Sequence, residues 1–334
     1  MSRPASPTFA ALVQEFFTDY MVQQRALSPC TVASYRDAFV LLLRFAEQRL
    51  RKDPTALQLA DIDQSFLASF LDHLERDRHN TVSSRNIRLA AVRSFLKFAA
   101  RRDVTNLNVV QQALAVPMKR FDRPMVGYLS REQMLAVMDV PTATWLGQRD
   151  RLLLTLLYNT GARVSEIISV RVADVVLGST SCIHLHGKGR KQRSLPLWKT
   201  TARDLRAWLR VNGQLSAGSP LLPTRDGKAM TRANASQRLK LAVKAATERR
   251  PELAKRSVTP HVIRHSTAMS LLQSGAQPSE IALWLGHESP STTHMYVEAD
   301  LAMKERALAR LKPPEVRASR YRPPKALMQF LQSL

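Results

Sequence analysis

Glycine and aromatic residues are scarce in this chain: 334 residues include 11 glycines, and Phe, Trp and Tyr together make up 6%. Barrels and sandwiches built from many tight turns use more of both, so the composition argues against them. Cysteine is rarer still. Cys30 and Cys182 lie far apart and form no CxxC pair. Neither a disulfide framework nor a zinc site follows from them, and a reducing compartment is the natural expectation. No stretch of about 18 apolar residues occurs, so no membrane span is expected. The opening MSRPASPTFAALVQEFF lacks the apolar core of a cleavable signal peptide, which makes the cytoplasm the expected location.

Negative charge is short as well. Asp and Glu number 27 against 50 Lys and Arg, a formal net charge of +23 with a pI near 10.9. Residues 1–120 hold 17 basic and 11 acidic groups while residues 121–334 hold 33 and 16, so the excess is concentrated in the C-terminal part. A domain with a pI above about 9 is expected to meet a polyanion, most often nucleic acid. The bland alternative is a basic protein that is merely soluble. Hydrophobic content of 45% and charged content of 23% are ordinary for a globular protein. The length suits about two domains of roughly 150 residues.

The apolar pattern of the first 115 residues is helical. Phe9, Leu12, Val13, Phe16, Phe17 and Tyr20 share one face, and Ser28-Pro29 reads as an N-cap followed by proline at the first helical position. The helix opened there turns Val32, Tyr35, Phe39, Leu42, Leu43 and Phe45 inward. A third helix fits residues 64–77, and Thr81 or Asn80 caps a fourth. The fourth carries Arg85, Arg88, Arg93 and Lys97, either a solvated face or one that meets phosphates. Prolines 117 and 124 and the charges between them suggest a linker over 116–126. Beyond it the chain is again mostly helical, with Ser130 and Gln133 at capping-box spacing and RDRLLLTLLYN closed by Gly161. One hairpin interrupts the helices: SCIHLH and RSLPL alternate as strands about a basic turn, Gly187–Lys191. Residues 312–334 form a proline-bearing tail that ends in a short apolar helix candidate at 326–334. No internal repeat is visible.

Three clusters could do chemistry. Thr160-Gly161-Ala162-Arg163-Val164-Ser165-Glu166 ends one helix and starts another, His261 and Arg264 share a helical face at i and i+3, and Gly286-His287 is followed by Tyr296. Two arginines offer forked donors that match the oxygens of one phosphate. Histidines can carry protons near neutral pH, a turn lysine can donate one, and a tyrosine hydroxyl can act as a nucleophile if a positive field lowers its pKa from about 10. Each residue also has a plainer reading: Arg163 and Glu166 as a surface ion pair, the turn cations as a loop that touches phosphates, His287 as a helix-end residue, Tyr296 as a half-buried aromatic.

The segments LLLTLLYNTGARVSEIISVRVADV, HLHGKGRKQRSLPL, TPHVIRHSTAMSLLQSGA and IALWLGHESPSTTHMYV cover most of residues 150–300 and resemble the tyrosine recombinase (phage integrase) family. SPCTVASYRDAFVLLLRFA resembles that family's core-binding domain. The resemblance implies a mainly α, two-domain protein. A SAM-like helical core-binding domain (1–115) and the linker (116–126) would precede an α-rich catalytic domain with a small β-hairpin or sheet (127–311) and the tail (312–334). It implies that Arg163 and Arg264 clamp the scissile phosphate and that Lys188, with Lys191 as a substitute, is the acid for the 5′-oxygen. It also implies that His261 assists the tyrosine, His287 contacts the phosphate, Glu166 orients the set and Tyr296 is the nucleophile. Ala162 departs from the larger apolar residue usual at its position, and Tyr321 in the tail is a rival nucleophile in principle only.

The implied partner is double-stranded DNA, bound by a homotetramer, or a hetero-tetramer with related recombinases, on two sites in the nucleoid. Arg85, Arg88, Arg93, Lys97, Arg190, Lys191 and Arg193 are the expected DNA contacts. No cofactor or metal is expected, since a metal-dependent nuclease needs converging carboxylates and only Glu166 lies within these clusters. Integration or transposition of a mobile element is the expected role. Resolution of chromosome or plasmid dimers, or DNA binding without catalysis on the same fold, are the alternatives. Binding to duplex DNA should weaken by roughly a thousandfold between low and moderate salt if six or more phosphates are neutralised, as titration at several salt concentrations will show. A flat profile would count against a DNA clamp.

Overall fold

The computed structural model describes residues 7–121, 127–139, 143–187, 192–287, 329 and 331–333. The chain divides into two compact units, Met1–Arg123 and Pro124–Leu334.

The first unit is all helical: α1 (Phe9–Glu15), α2 (Pro29–Leu50), α3 (Gln64–Arg76), α4 (Val82–Ala99) and α5 (Leu107–Leu114). The start signals act as expected. Ser28 accepts the Thr31 N–H ahead of Pro29, Asp63 accepts that of Phe66 and Thr81 that of Ser84. The chain after α1 is not the plain continuation that the apolar spacing suggests. Phe16–Gln24 widens into a π-helix, and its buried residues Phe16 and Met21 stand five apart. The wider turn seats Phe16 at the centre of a ring cluster with Phe39, Phe95 and Phe98, at centroid distances of 6.2, 5.5 and 5.5 Å.

The stretch read as a linker begins as part of this unit. Val116 is buried in its core, the Pro117 carbonyl accepts from Arg85 Nη1 at 3.1 Å, and Lys119 pairs with Glu75 at 2.7 Å. Arg85 is accordingly no phosphate-facing residue. It is buried, pairs with Glu75 at 3.3 Å and binds this segment. Its position on α4 points to the core side, which the count of cations on the helix did not reveal.

The second unit comprises α6 (Arg131–Met138), α7 (Trp145–Thr160), α8 (Val164–Ile168), β1 (Val175–Leu177), β2 (Ser181–His186), β3 (Gln192–Pro196), α9 (Lys199–Val211), α10 (Arg232–Ala246), α11 (Pro260–Gln273) and α12 (Pro278–Leu285). The strands form one antiparallel sheet, β1-β2-β3, with Ile183 opposite both Val175 and Leu195. Ile183, Leu185 and Leu195 are buried, as the alternation of SCIHLH and RSLPL requires. Strand β1 and helix α5, three and eight residues long, were not foreseen, because elements so short carry little periodic signal. α7 runs through the core and packs on α11, α9 and α6. Leu153, Leu154, Leu156 and Leu157 are all fully or almost fully buried there, while Arg151 stays exposed and Gln148 and Thr155 half-exposed, so α7 is covered on all but one stripe. Among the described residues no helix is long and apolar enough to cross a membrane.

A charge trio of buried Arg149 and Asp150 with partly exposed Arg238 braces α7. Asp150 accepts from Arg149 at 2.8 Å with one oxygen and from Arg238 of α10 with the other, and Arg149 also donates to the Pro223 carbonyl at 3.1 Å. Removing the carboxylate leaves the buried Arg149 charged and dry. Asp150→Ala should therefore lower stability by about 3–5 kcal/mol, measured by denaturant titration, whereas a cost below about 1 kcal/mol would mean that water replaces the carboxylate.

Candidate active site

The site grows from two helix C-termini. Gly161 ends α7 in the left-handed region at φ +60°, and a Cβ there would lie 2.6 Å from Leu285 Cδ2 and 3.2 Å from Thr267 Cγ2, so only glycine fits. The Thr160 hydroxyl accepts the Ala162 N–H at 3.2 Å and donates to the Leu156 carbonyl at 2.6 Å, which fixes the turn. Arg163 is then the N-cap of α8, and Glu166 is its N3 residue. Gly286 ends α12 in the same left-handed conformation, φ +67°, with a Cβ position 3.1 Å from Arg193 Nη1.

Glu166, 3% exposed, is the hub. Its carboxylate accepts the Arg163 N–H at 2.9 Å and Arg163 Nη1 at 3.0 Å. From β3, Arg193 adds Nη2 at 2.7 Å and Nη1 at 3.3 Å, and donates through Nε to the Trp284 carbonyl at 3.1 Å. Burial alone would raise the Glu166 pKa, but the hydrogen bonds from Arg193 and Arg163 outweigh it and hold the carboxyl below the ordinary glutamate range. Arg264 of α11 is buried, and it donates to the Gly161 carbonyl at 2.8 Å and the Leu285 carbonyl at 2.9 Å. It thereby ties the two helix ends together. His261, one turn earlier on the same helix, is exposed. His287 is half-buried beyond Gly286, and its pKa is lowered from 6.5 to about 4, first by burial and then by the charges of Arg264, Arg163 and Arg193.

The structure thus brings together Arg163, Glu166, Arg264 and His287, with His261 on the helix that carries Arg264. Lys188, Arg190, Lys191 and Tyr296 lie outside the described residues, as does most of the tail. Arg193 is placed differently from expectation. It is no loose hairpin contact: its guanidinium is fixed on Glu166 and on the end of α12. The alternation of RSLPL held the clue, since Arg193 shares the inward face with buried Leu195. Arg88 folds back to the Ser84 carbonyl at 3.1 Å, and Arg93 and Lys97 remain at the surface of α4. Three guanidiniums against one carboxylate leave a positive, half-buried site, and the side chain of Arg163 is 37% exposed. Such a site can receive an anion with forked donors. Among the described residues no three His, Cys, Asp or Glu gather as a metal site.

Comparison with known proteins extends this picture. Residues 127–303 match the phage integrase family and residues 14–103 match the phage integrase N-terminal SAM-like domain. A protein of Sinorhizobium fredii, provisionally named as an integrase/recombinase, is 41% identical over 335 residues, covering 100% of each chain. Tyrosine recombinase XerC of Xanthomonas axonopodis pv. citri is 30% identical over 294 residues, 86% of this chain and 92% of that one. Among solved structures, XerH bound to a palindromic difH substrate superposes with a TM-score of 0.67 at 20% identity, covering 85% and 81% of the two chains. A lambda integrase tetramer bound to a Holliday junction gives 0.61 at 16%, covering 85% and 79%.

The low pKa of His287 has a measurable consequence. A proton binds this histidine near pH 6.5 in the unfolded chain and near pH 4 in the folded one. Its contribution is therefore fully present above about pH 6.5, declines as the pH falls toward 4, and is level below that. Thermal melts of the DNA-free protein should show this acid loss, and His287→Gln should reduce it. Parallel pH profiles for the two proteins would refute the assignment.

Proposed function

Because the chain belongs to the phage integrase family, we propose that it is a site-specific DNA recombinase that cuts and rejoins strands through a 3′-phosphotyrosyl intermediate. Tyr296 Oη attacks the scissile phosphorus, the P–O5′ bond breaks, and the 5′-oxygen departs with a proton from Lys188 or, failing it, Lys191. The tyrosine proton passes toward His261. In the reverse step a 5′-hydroxyl of the partner strand attacks the phosphotyrosyl bond and frees the tyrosine. One phosphoester replaces another each time, so religation needs no ATP.

Arg163 and Arg264 hold the non-bridging oxygens and offset the charge of the five-coordinate phosphorus. His287, neutral at pH 7, donates a hydrogen bond rather than a charge. Glu166 keeps Arg163 aimed, and Arg193 keeps Glu166 in place. The positive charge that a metal would otherwise supply comes from side chains. The observation that carries this reading is the gathering of Arg163, Arg264 and His287, with Arg163 held on the buried carboxylate of Glu166 and Arg264 on the ends of α7 and α12.

The protein acts as a tetramer on two duplex sites and serves integration or transposition of a mobile element. The full-length likeness to an integrase/recombinase supports that role. The likeness to XerC favours a second reading, resolution of chromosome or plasmid dimers. A nicked duplex from the ends of the DNA segment that carries the gene separates them. With EDTA present, the native protein should form a covalent adduct on that duplex and Tyr296→Phe should form none. Binding without an adduct would reduce the protein to a DNA binder. An adduct on the replicon's dimer-resolution site alone would favour the second reading, and loss of the adduct in EDTA would remove the metal-free mechanism.

A further inference from the structure

The outer face of α4 has a composition that the arginine cluster does not account for. Ser83, Ile87, Ala90, Ser94 and Lys97 recur at helical spacing and form one stripe that is exposed or half-exposed along its length. Ile87 is 53% exposed, a large apolar side chain on a basic surface. Two open grooves lie end to end along the stripe and meet at Ala90 and Met118. Arg25, Arg93, Lys97 and Arg101 line one, Lys119 and Arg120 line the other, and among the described residues no carboxylate lines either. Lys119 is neutralised by Glu75 at 2.7 Å, so the charge of the face comes from the other five.

Cations along an exposed helix face complement a duplex, whose phosphates border each groove. A helix about 10–12 Å across fits a major groove about 12 Å wide. The centre of the stripe then meets base edges. Asn86, the residue type that reads adenine, is already engaged. Its Oδ1 accepts from Lys119 N at 3.1 Å and from Arg85 Nη1 at 2.9 Å, and its Nδ2 donates to the Lys119 carbonyl at 2.8 Å. Arg88, which could read guanine, is turned back onto Ser84. Ile87, the Ala90 methyl and the Ser83 hydroxyl remain at this end. The apolar group that a base pair offers in the major groove is the thymine 5-methyl.

We propose that the outer face of α4 enters a major groove and that Ile87 selects a T·A pair there by packing on the thymine methyl. The inference rests on the reading of the chain as a DNA recombinase and adds a specificity-determining residue to it. The full chain is used to select from a pool of randomised duplexes, and each thymine of the enriched duplex is then replaced in turn by deoxyuridine. One replacement should weaken binding of the native protein about three- to fivefold, the effect of one buried methyl, and leave Ile87→Ala unaffected. Because Ile87 is exposed, the variant should keep the native melting temperature, which verifies its fold. If no single replacement weakens the native protein, or if native and variant weaken equally, the role of Ile87 is overturned while adduct formation through Tyr296 still stands. Failure to bind any duplex would instead overturn the recombinase reading itself.

Discussion

The buried carboxylate of Glu166 is the contact on which the site depends. A glutamate so enclosed costs several kcal/mol unless donors surround it, and here Arg163 and Arg193 supply side-chain N–H groups while the Arg163 backbone adds another. Each partner belongs to a different piece of the fold: Arg163 to the turn after α7, Arg193 to β3. Through the Trp284 carbonyl, Arg193 also reaches α12. One ionised group thus sets the hairpin strand, the α7–α8 turn and the end of α12 at fixed distances, and it offsets the repulsion among cations that an anion site must gather.

The remaining positive charge is held by backbone. Arg264 lies across the C-terminal ends of α7 and α12, where carbonyls lack helical partners and the helix dipoles favour a cation. Glycines at both ends make this possible: Gly161 and Gly286 take left-handed conformations and leave room for Leu285 and for the Arg193 guanidinium. His287 stands next to this array and stays neutral because burial and three guanidiniums oppose its proton. In the proposed chemistry the site is then a set of directed donors with one reserve of negative charge, ready before the phosphate arrives.

The first unit uses its charge differently. Arg85 is buried in an ion pair and binds the segment after α5, whereas Arg93 and Lys97 stay outside with Ile87. Four cations on one helix therefore serve two purposes. Their angular position on α4 separates them.

Local rules made much of this legible in the sequence. Ser28-Pro29, Ser130 with Gln133, Gly161 and Gly286 mark helix ends because their chemistry acts within one turn of chain. The alternation of the hairpin strands names their buried residues for the same reason, and the order of Arg163, Glu166, His261, Arg264 and His287 suffices to suggest the site. Tertiary structure decided what depends on neighbours remote in sequence. The π-helical turn at Phe16 answers rings from α2 and α4. The burial of Arg85 answers Glu75 and Pro117. The fixing of Arg193 needs Glu166, 27 residues away, and Trp284, 91 residues away. A cation's sequence gives its charge, but whether that charge meets a phosphate or a carboxylate is settled by the partner that folding brings within about 3 Å.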